Sequence, residues 1–254
     1  KCGTSGSPPT GTLPTFGFGA ALPAANRSGF RSDASAELYN DLGASLVGLG
    51  RIEEGLQAFR QAARLDPKMA GAFANIGRVY VQHGRQIEAI AALQRAVELE
   101  PGDGAIFALL GQAYEEMGEW DEAQQSYYRA VECAPKSVAY RINLAYAYQE
   151  LGQPRQAEKG YRAAIALNEE SVPALFNLGA LPLERKRATE AMDFFQRVLR
   201  LAPDNVDAHI NVAGIHLKQG DRARALDAYR DASKFEMAPE LRRLVEAQMQ
   251  ALGN

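Results

Sequence analysis

Residues 70–101 read AGAFANIGRVYVQHGRQIEAIAALQRAVELEP, and residues 104–135 read GAIFALLGQAYEEMGEWDEAQQSYYRAVECAP. Aligned at an offset of 34 residues, the two stretches share small residues, aromatic residues and a closing proline at the same places. In each stretch apolar residues recur three or four positions apart, which predicts two short amphipathic helices. A glycine separates the two helices, and a proline ends the second because it lacks the amide hydrogen that a continuing helix needs. A fixed period of this length is typical of a repeat array of helix pairs.

The same pattern continues on both sides of these two stretches. Closing prolines stand at Pro67, Pro101, Pro135 and Pro203, which are separated by 34 residues or by twice that number. The sequence therefore predicts an array over residues 35–254, with six units at about 36–69, 70–103, 104–137, 138–171, 172–205 and 206–239. An apolar stripe over residues 239–252 predicts a further helix that caps the last unit, since a terminal repeat otherwise exposes its apolar face.

This pattern resembles the tetratricopeptide repeat family over residues 36–239. Small residues such as Gly77 and Ala89, aromatic residues such as Tyr80, and the closing prolines all match the family. The resemblance implies an all-α fold, a right-handed superhelix (an α-solenoid) of antiparallel helix pairs whose first helices line a concave groove. It also implies a non-catalytic protein–protein interaction scaffold or assembly factor that binds a peptide or segment of a partner in that groove.

Asparagine recurs at one position of the repeat. Asn75, Asn143, Asn177 and Asn211 occupy it in units two, four, five and six, and Leu109 stands there in unit three. By resemblance this position faces the groove, and the repeat region of the O-GlcNAc transferases carries a similar asparagine ladder. A primary amide both donates and accepts hydrogen bonds, so a row of amides can bind the backbone of an extended peptide. The alternative is a structural role, in which each asparagine bonds to the neighbouring helix. Because the row is interrupted, we expect the asparagines of units four to six to bind the peptide, with the asparagine of unit two as an outlying contact.

Charged and aromatic residues complete the predicted groove. The further candidates are Arg78, Glu115, Tyr146, Glu150 and Lys218. Together with Glu116 and Glu184, the glutamates make the middle of the groove acidic, which favours a partner segment rich in lysine or arginine. The alternative interpretation is a solvated charged face with no binding role.

Composition argues against several other functions. The 254 residues carry a net charge of −3, whereas nucleic-acid binding requires a clustered basic face. The three histidines lack metal-ligand spacing, and no phosphate-cradling glycine motif occurs. We therefore expect no catalytic residue, no metal site, no cofactor and no nucleic-acid partner; the expected partner is a protein or an extended peptide within a larger complex.

Unit five departs from the pattern. Pro182 takes the place of the tyrosine found at Tyr80, and Lys186 replaces the glycine between the two helices. A proline inside a helix removes one hydrogen bond, so the first helix of this unit is predicted to end early or to kink, with a local change in superhelix curvature. A Pro182→Ala variant is expected to melt at a higher temperature.

Residues 1–34 differ in composition from the array. Seventeen of the first 30 residues are glycine, proline, serine or threonine, a composition typical of a tail or tether. Cys2 followed by this neutral stretch suggests a second hypothesis, a bacterial envelope lipoprotein of the pilotin or secretion-accessory type, lipidated at that cysteine. That hypothesis favours the periplasm or cell envelope over the cytoplasm, with membrane contact only through the lipid. A third hypothesis is the regulatory repeat half of a larger enzyme.

Overall fold

The structure, a computed structural model, describes residues 30–181 and 188–253. Within those ranges the chain forms thirteen α-helices and no strand. The helices are α1 (Phe30–Gly48), α2 (Ile52–Leu65), α3 (Ala70–Gln82), α4 (Gln86–Leu99), α5 (Gly104–Glu116), α6 (Trp120–Cys133), α7 (Val138–Glu150), α8 (Pro154–Leu167), α9 (Val172–Ala180), α10 (Ala188–Leu201), α11 (Val206–Lys218), α12 (Arg222–Ser233) and α13 (Pro239–Gly253). Helices α1 to α12 form six pairs, each a unit of the repeat, and α13 follows the last pair. The predicted all-α solenoid is confirmed.

Within each pair, a large side chain of the second helix packs on the first helix. These side chains recur every 34 residues and are all buried: Phe59, Leu93, Tyr127, Tyr161, Phe195 and Tyr229. Gly77 shows why the facing residue is small, because a Cβ atom added there would lie 2.4 Å from Cγ of Leu93. In unit four Ala145 takes the place of this glycine, and the space is found instead on α8, where a Cβ on Gly160 would lie 2.7 Å from the Ala145 Cβ. In unit four, the glycine that allows the two helices to approach closely therefore lies on the second helix and not on the first.

The turn inside most units depends on a glycine in the left-handed region. Gly50, Gly84, Gly118, Gly152 and Gly220 have φ between 68° and 81°. After α3, the amide of Gly84 donates to the carbonyl of Val81 (3.2 Å), and the amide of Arg85 donates to the carbonyl of Tyr80 (2.9 Å). Because only glycine adopts this φ without a steric penalty, the chain reverses direction between α3 and α4 within three residues.

Neighbouring units are joined by the second helix of one and the first helix of the next. Leu56 of α2 lies in one apolar cluster with Ile76 and Val79 of α3. A hydrogen bond to a tyrosine hydroxyl accompanies this packing in three junctions: Arg60 to Tyr80 (2.6 Å), Gln94 to Tyr114 (3.1 Å) and Gln124 to Tyr148 (3.3 Å). The core is therefore a continuous series of junctions along the array.

Helix α9 is shorter than the other first helices of units two to six. It ends at Ala180 after nine residues, whereas α3, α5, α7 and α11 have 13. Leu181 has φ −54° and ψ 133°, an extended conformation that a residue before proline favours. The early helix end predicted for unit five is therefore observed. Pro182, Glu184 and Lys186 lie outside the described residues, and the change in curvature stays a prediction.

Helix α13 covers the far end of the array. Val245 is buried there in a cluster with Ala213 and Tyr229 of unit six, and Met249 and Leu252 pack against the same cluster. Over the described ranges, no helix has the length and apolar content needed to cross a bilayer.

Candidate peptide-binding groove

Residues from three successive first helices converge in the middle of the array. Glu115 on α5, Tyr146 and Glu150 on α7, and Asn177 on α9 all lie close enough to Tyr161 to shift the pKa of its hydroxyl. We call these five residues the central cluster. Four of them are groove candidates predicted from the sequence, so the structure brings these four together.

Two buried tyrosines of the second helices reach this surface in the same way. The Tyr127 hydroxyl donates to the carboxylate of Glu115, and the Tyr161 hydroxyl donates to Oε1 of Gln149 at 3.3 Å; in both cases the partner lies twelve residues earlier. Burial raises the pKa of Tyr127, and the Glu115 carboxylate raises it further. Burial likewise raises the pKa of Tyr161, followed by the effects of Tyr146 and the Glu150 carboxylate, against a smaller opposing effect of Asn177. Both hydroxyls therefore stay protonated and hold the groove residues in place.

An aromatic pair lies beside the carboxylates. The rings of Trp120 and Tyr146 meet edge to face, with centroids 5.7 Å apart and an interplanar angle of 82°. Both side chains are half-buried. Burial raises the pKa of Tyr146, followed by the effect of the Glu150 and Glu115 carboxylates. The sequence prediction omitted Trp120, although a single tryptophan in the chain is a signal for a binding surface.

The groove carboxylates differ from many acidic side chains of the second helices in the partners that they bond. Glu116 accepts hydrogen bonds from the side-chain amides of Gln112 (3.1 Å) and Gln86, and Glu115 accepts one from a tyrosine. Among the residues that the structure describes, neither these two nor Glu150 takes part in an ion pair. Acids of the second helices, in contrast, form exposed pairs with a nearby cation: Arg51–Glu54, Arg85–Glu88, Arg95–Glu98, Arg129–Glu132, Arg230–Asp227 and Lys234–Asp231. Within the described ranges, no cation thus lies in ion-pair contact with the three groove carboxylates.

The four ladder asparagines are half-buried, but their bonding differs. Asn75 donates to Oδ1 of Asn40 on α1 (2.9 Å) and accepts from Nη2 of Arg78 (2.8 Å), so both of its polar atoms have partners. Asn211 donates to the backbone carbonyl of Asp207 in its own helix (2.8 Å). Its side-chain carbonyl is not used in that bond. The asparagine of unit two is therefore the one most fully bonded within the array.

A cavity lies between units five and six. Its volume is about 1000 Å³. Apolar side chains form much of its wall, namely Leu178, Leu181, Phe194, Ile210 and Ile215. Asn211 and Lys218 of α11 also line it, so two more predicted groove residues share one site. Asn75 and Arg78 lie apart from both places, in unit two.

Two further predictions concern chemistry rather than shape. No cluster of three or more histidine, cysteine, aspartate or glutamate side chains that could hold a metal ion occurs within residues 30–181 and 188–253. Cys2, the predicted lipidation site, lies outside the described residues.

Family models match most of the chain. A model described as the cilia and flagella-associated protein 70 C-terminal domain, of the tetratricopeptide type, matches residues 24–174, and a tetratricopeptide repeat model matches residues 183–247. No curated protein matches the chain significantly.

Solved structures with the same fold are numerous. The structure reported for the functional characterization of Pseudomonas aeruginosa pilF is 18% identical, with 88% of this chain and 98% of that chain covered and a TM-score of 0.70. YrrB, described as a TPR protein with an unusual peptide-binding site, is 21% identical, with 76% and 99% covered and a TM-score of 0.61. The APC/C hetero-tetramer Cut9–Hcn1 contains a chain that is 16% identical, with 86% and 43% covered and a TM-score of 0.65. At these identities the likeness shows the fold, a right-handed superhelix.

Proposed function

The chain belongs to the tetratricopeptide repeat family, and we propose that it is a non-catalytic scaffold or assembly factor that binds a segment of a partner protein in its concave groove. The fold supports protein-interaction scaffolds in general, and similar structures include a protein with a peptide-binding site and a subunit of a hetero-tetramer. The partner, its chemistry and the contact residues are our inference.

The proposed partner segment is basic. The observation that carries this proposal is the set of groove carboxylates, Glu115, Glu116 and Glu150, which have no ion-pair partner among the described residues. A lysine or arginine of the partner would place a positive charge beside these carboxylates, and the attraction would speed association and select against acidic segments. Because these carboxylates lie at the groove surface, added salt should weaken the interaction.

The aromatic pair and the asparagines have complementary roles in this proposal. The faces of Tyr146 and Trp120 offer a contact for an arginine or lysine of the partner, through cation–π attraction. Asn143, Asn177 and Asn211 would bind the partner's backbone, each hydrogen bond contributing about 0.5–1.5 kcal/mol. The cavity lined by Asn211 and Lys218 would receive an apolar side chain of the same segment. The proposed binding surface thus extends over units three to six.

A charge-reversal experiment tests the basic-partner proposal directly. The probes are two fluorescent peptides of equal length, one alternating lysine and leucine and one alternating glutamate and leucine, followed by fluorescence anisotropy at low and high salt. We expect binding of the lysine peptide only, and weaker binding to the double variant Glu115→Gln/Glu150→Gln. The matched control is Glu98→Gln/Glu132→Gln, which removes two carboxylates that are ion-paired on second helices. An equal loss of peptide binding in both double variants would contradict the assignment of the binding site to the groove.

The asparagine contribution needs a separate experiment. A triple variant, Asn143→Ala/Asn177→Ala/Asn211→Ala, should recover less partner in co-purification while its circular dichroism and melting curve still show a folded array. Unchanged recovery from a folded variant would assign these asparagines to packing alone.

The envelope hypothesis rests on the sequence around Cys2. Its test is the mass of the protein isolated from its native source. A diacyl or triacyl modification on the cysteine would support it, and an unmodified thiol would remove it.

A further inference from the structure

Three leucines are exposed at the N-terminal end of the array, two on α1 and one in the turn that follows it. Leu38, Leu42 and Leu49 are 70%, 44% and 73% exposed, respectively. Leu38 and Leu42 are one turn apart on the same side of α1, and Leu49 directly follows the helix. We call these three leucines the end face.

Positions equivalent to Leu38 and Leu42 are buried in most later units. The counterparts of Leu38 in units two, three, five and six are Ala72, Ile106, Ala174 and Ala208, each at most 3% exposed. The counterparts of Leu42 in units two, three and five are Ile76, Leu110 and Leu178, each at most 7% exposed. In those units the preceding second helix covers these positions, as Leu56 of α2 does for Ile76 of α3. Within the described residues no second helix precedes unit one, so Leu38 and Leu42 are exposed at positions that most later units bury.

The opposite end of the array is treated differently. There α13 supplies Val245, Met249 and Leu252 to cover unit six. A repeat array needs such a cover at both ends, because each unit buries its apolar surface only against its neighbours.

We propose that the chain's own N-terminal segment, through Leu13, Phe16, Phe18 and Leu22, covers the end face. These four residues are the large apolar side chains of a segment that is otherwise rich in small and polar residues. The segment joins α1 directly at Phe30, so it is tethered beside the surface in question.

The length and the charge of the N-terminal segment are both consistent with its covering the end face. The eight residues from Leu22 to Phe30 span at most about 28 Å. Along α1, the rise from Phe30 to Leu42 is about 18 Å, which the segment can therefore cover. Residues 1–29 contain Lys1 and Arg27 and no acidic residue, whereas α1 carries Glu37 and Asp41 exposed near the end face.

A tethered segment also has an advantage over a second copy of the chain. A short covalent connection gives an effective concentration in the millimolar range, far above that of a free partner. A stable interface between copies buries roughly 1,200–2,000 Å² in total, more than three exposed leucines supply.

The test is hydrogen exchange on the full chain, read over residues 34–48 by mass spectrometry. The variant Phe16→Ser/Phe18→Ser should speed exchange of these amides by about tenfold and leave α13 unchanged. The variant Leu38→Ser/Leu42→Ser should speed it similarly, and adding the phenylalanine changes to it should have no further effect. Because these leucines are exposed, their replacement leaves the packed core intact. The matched control is Leu244→Ser, which removes a leucine of similar exposure (57%) from α13.

Three results would overturn the proposal. One is equal exchange of residues 34–48 in the wild-type chain and the phenylalanine variant. Another is a phenylalanine effect that persists in full when both leucines are already serine. The last is a concentration-dependent dimer, seen by light scattering, that Leu38→Ser/Leu42→Ser abolishes, since a second copy would then cover the end face.

Discussion

The ring of Tyr127 lies directly against the backbone of Gly111, so that a Cβ atom on the glycine would come within 2.7 Å of the ring's Cδ1 and Cε1 atoms. The hydroxyl of the same tyrosine donates to Glu115, one turn further along α5. A single side chain therefore sets the distance between the two helices of unit three and also fixes a carboxylate of the groove. Packing and candidate site are joined at this residue.

Gly111→Ala is expected to destabilise the fold by about 1–3 kcal/mol, because the added methyl group meets a buried ring that is itself enclosed. Chemical denaturation measures this free energy. Gly214→Ala is the matched control, since Gly214 lies within helix α11 with nothing within 4 Å of an added Cβ. The control should stabilise the fold by about 0.5–1 kcal/mol through its higher helix propensity. Similar effects of both changes would contradict the close packing described for unit three.

A substitution at Gly84 should depend on how well the new residue tolerates positive φ, which is 71° there. Gly84→Ala is expected to cost about 1–2 kcal/mol, since its Cβ would crowd the following carbonyl. Gly84→Asn should cost less, because asparagine visits this conformation more readily. Space is not limiting, as no atom lies within 4 Å of an added Cβ. Thermal melting compares the stability of the two variants. An asparagine variant that melts at a lower temperature than the alanine variant would contradict the positive φ described for this turn.

The array should lose stability above pH 10. Burial raises the pKa values of Tyr127 and Tyr161 in the folded chain, whereas an unfolded tyrosine ionises near pH 10. The tyrosine contribution is therefore present in full below pH 10 and falls as the pH rises toward the folded pKa, by up to about 1.4 kcal/mol per pH unit for each residue. Denaturation curves at pH 8 to 11.5 measure this slope. In Tyr127→Phe/Tyr161→Phe the slope should be shallower, and an unchanged slope would refute the assignment to these two residues.

The bond between Asn40 and Asn75 should appear in a double-mutant cycle. Alanine at either position removes the 2.9 Å hydrogen bond, so the second substitution should cost less once the first is present. We expect a coupling energy of about 0.5–1.5 kcal/mol from chemical denaturation. Strictly additive effects would show that this asparagine pair contributes nothing to joining units one and two.

The helices and their pairing were predictable because they follow from periodic apolar residues. The early end of α9 was also foreseeable, since a proline near a helix end acts on local backbone geometry. The convergence on Tyr161 was not, because it depends on a hydroxyl from a second helix that lies near residues of three successive first helices. The bonding of Asn75 was equally hidden, since Asn40 lies one position off the asparagine register. Contacts between side chains of different units do not follow from the periodic pattern, so the sequence alone did not predict them.

The shortness of α9 bears on how the array would respond to a pulling force. In a solenoid each unit is held only by its neighbours, so load passes along the array through every junction in turn. A first helix of nine residues offers fewer backbone hydrogen bonds and less lateral surface than one of 13. We expect extension to begin at unit five, leaving units one to four as one elastic segment and unit six with α13 as another.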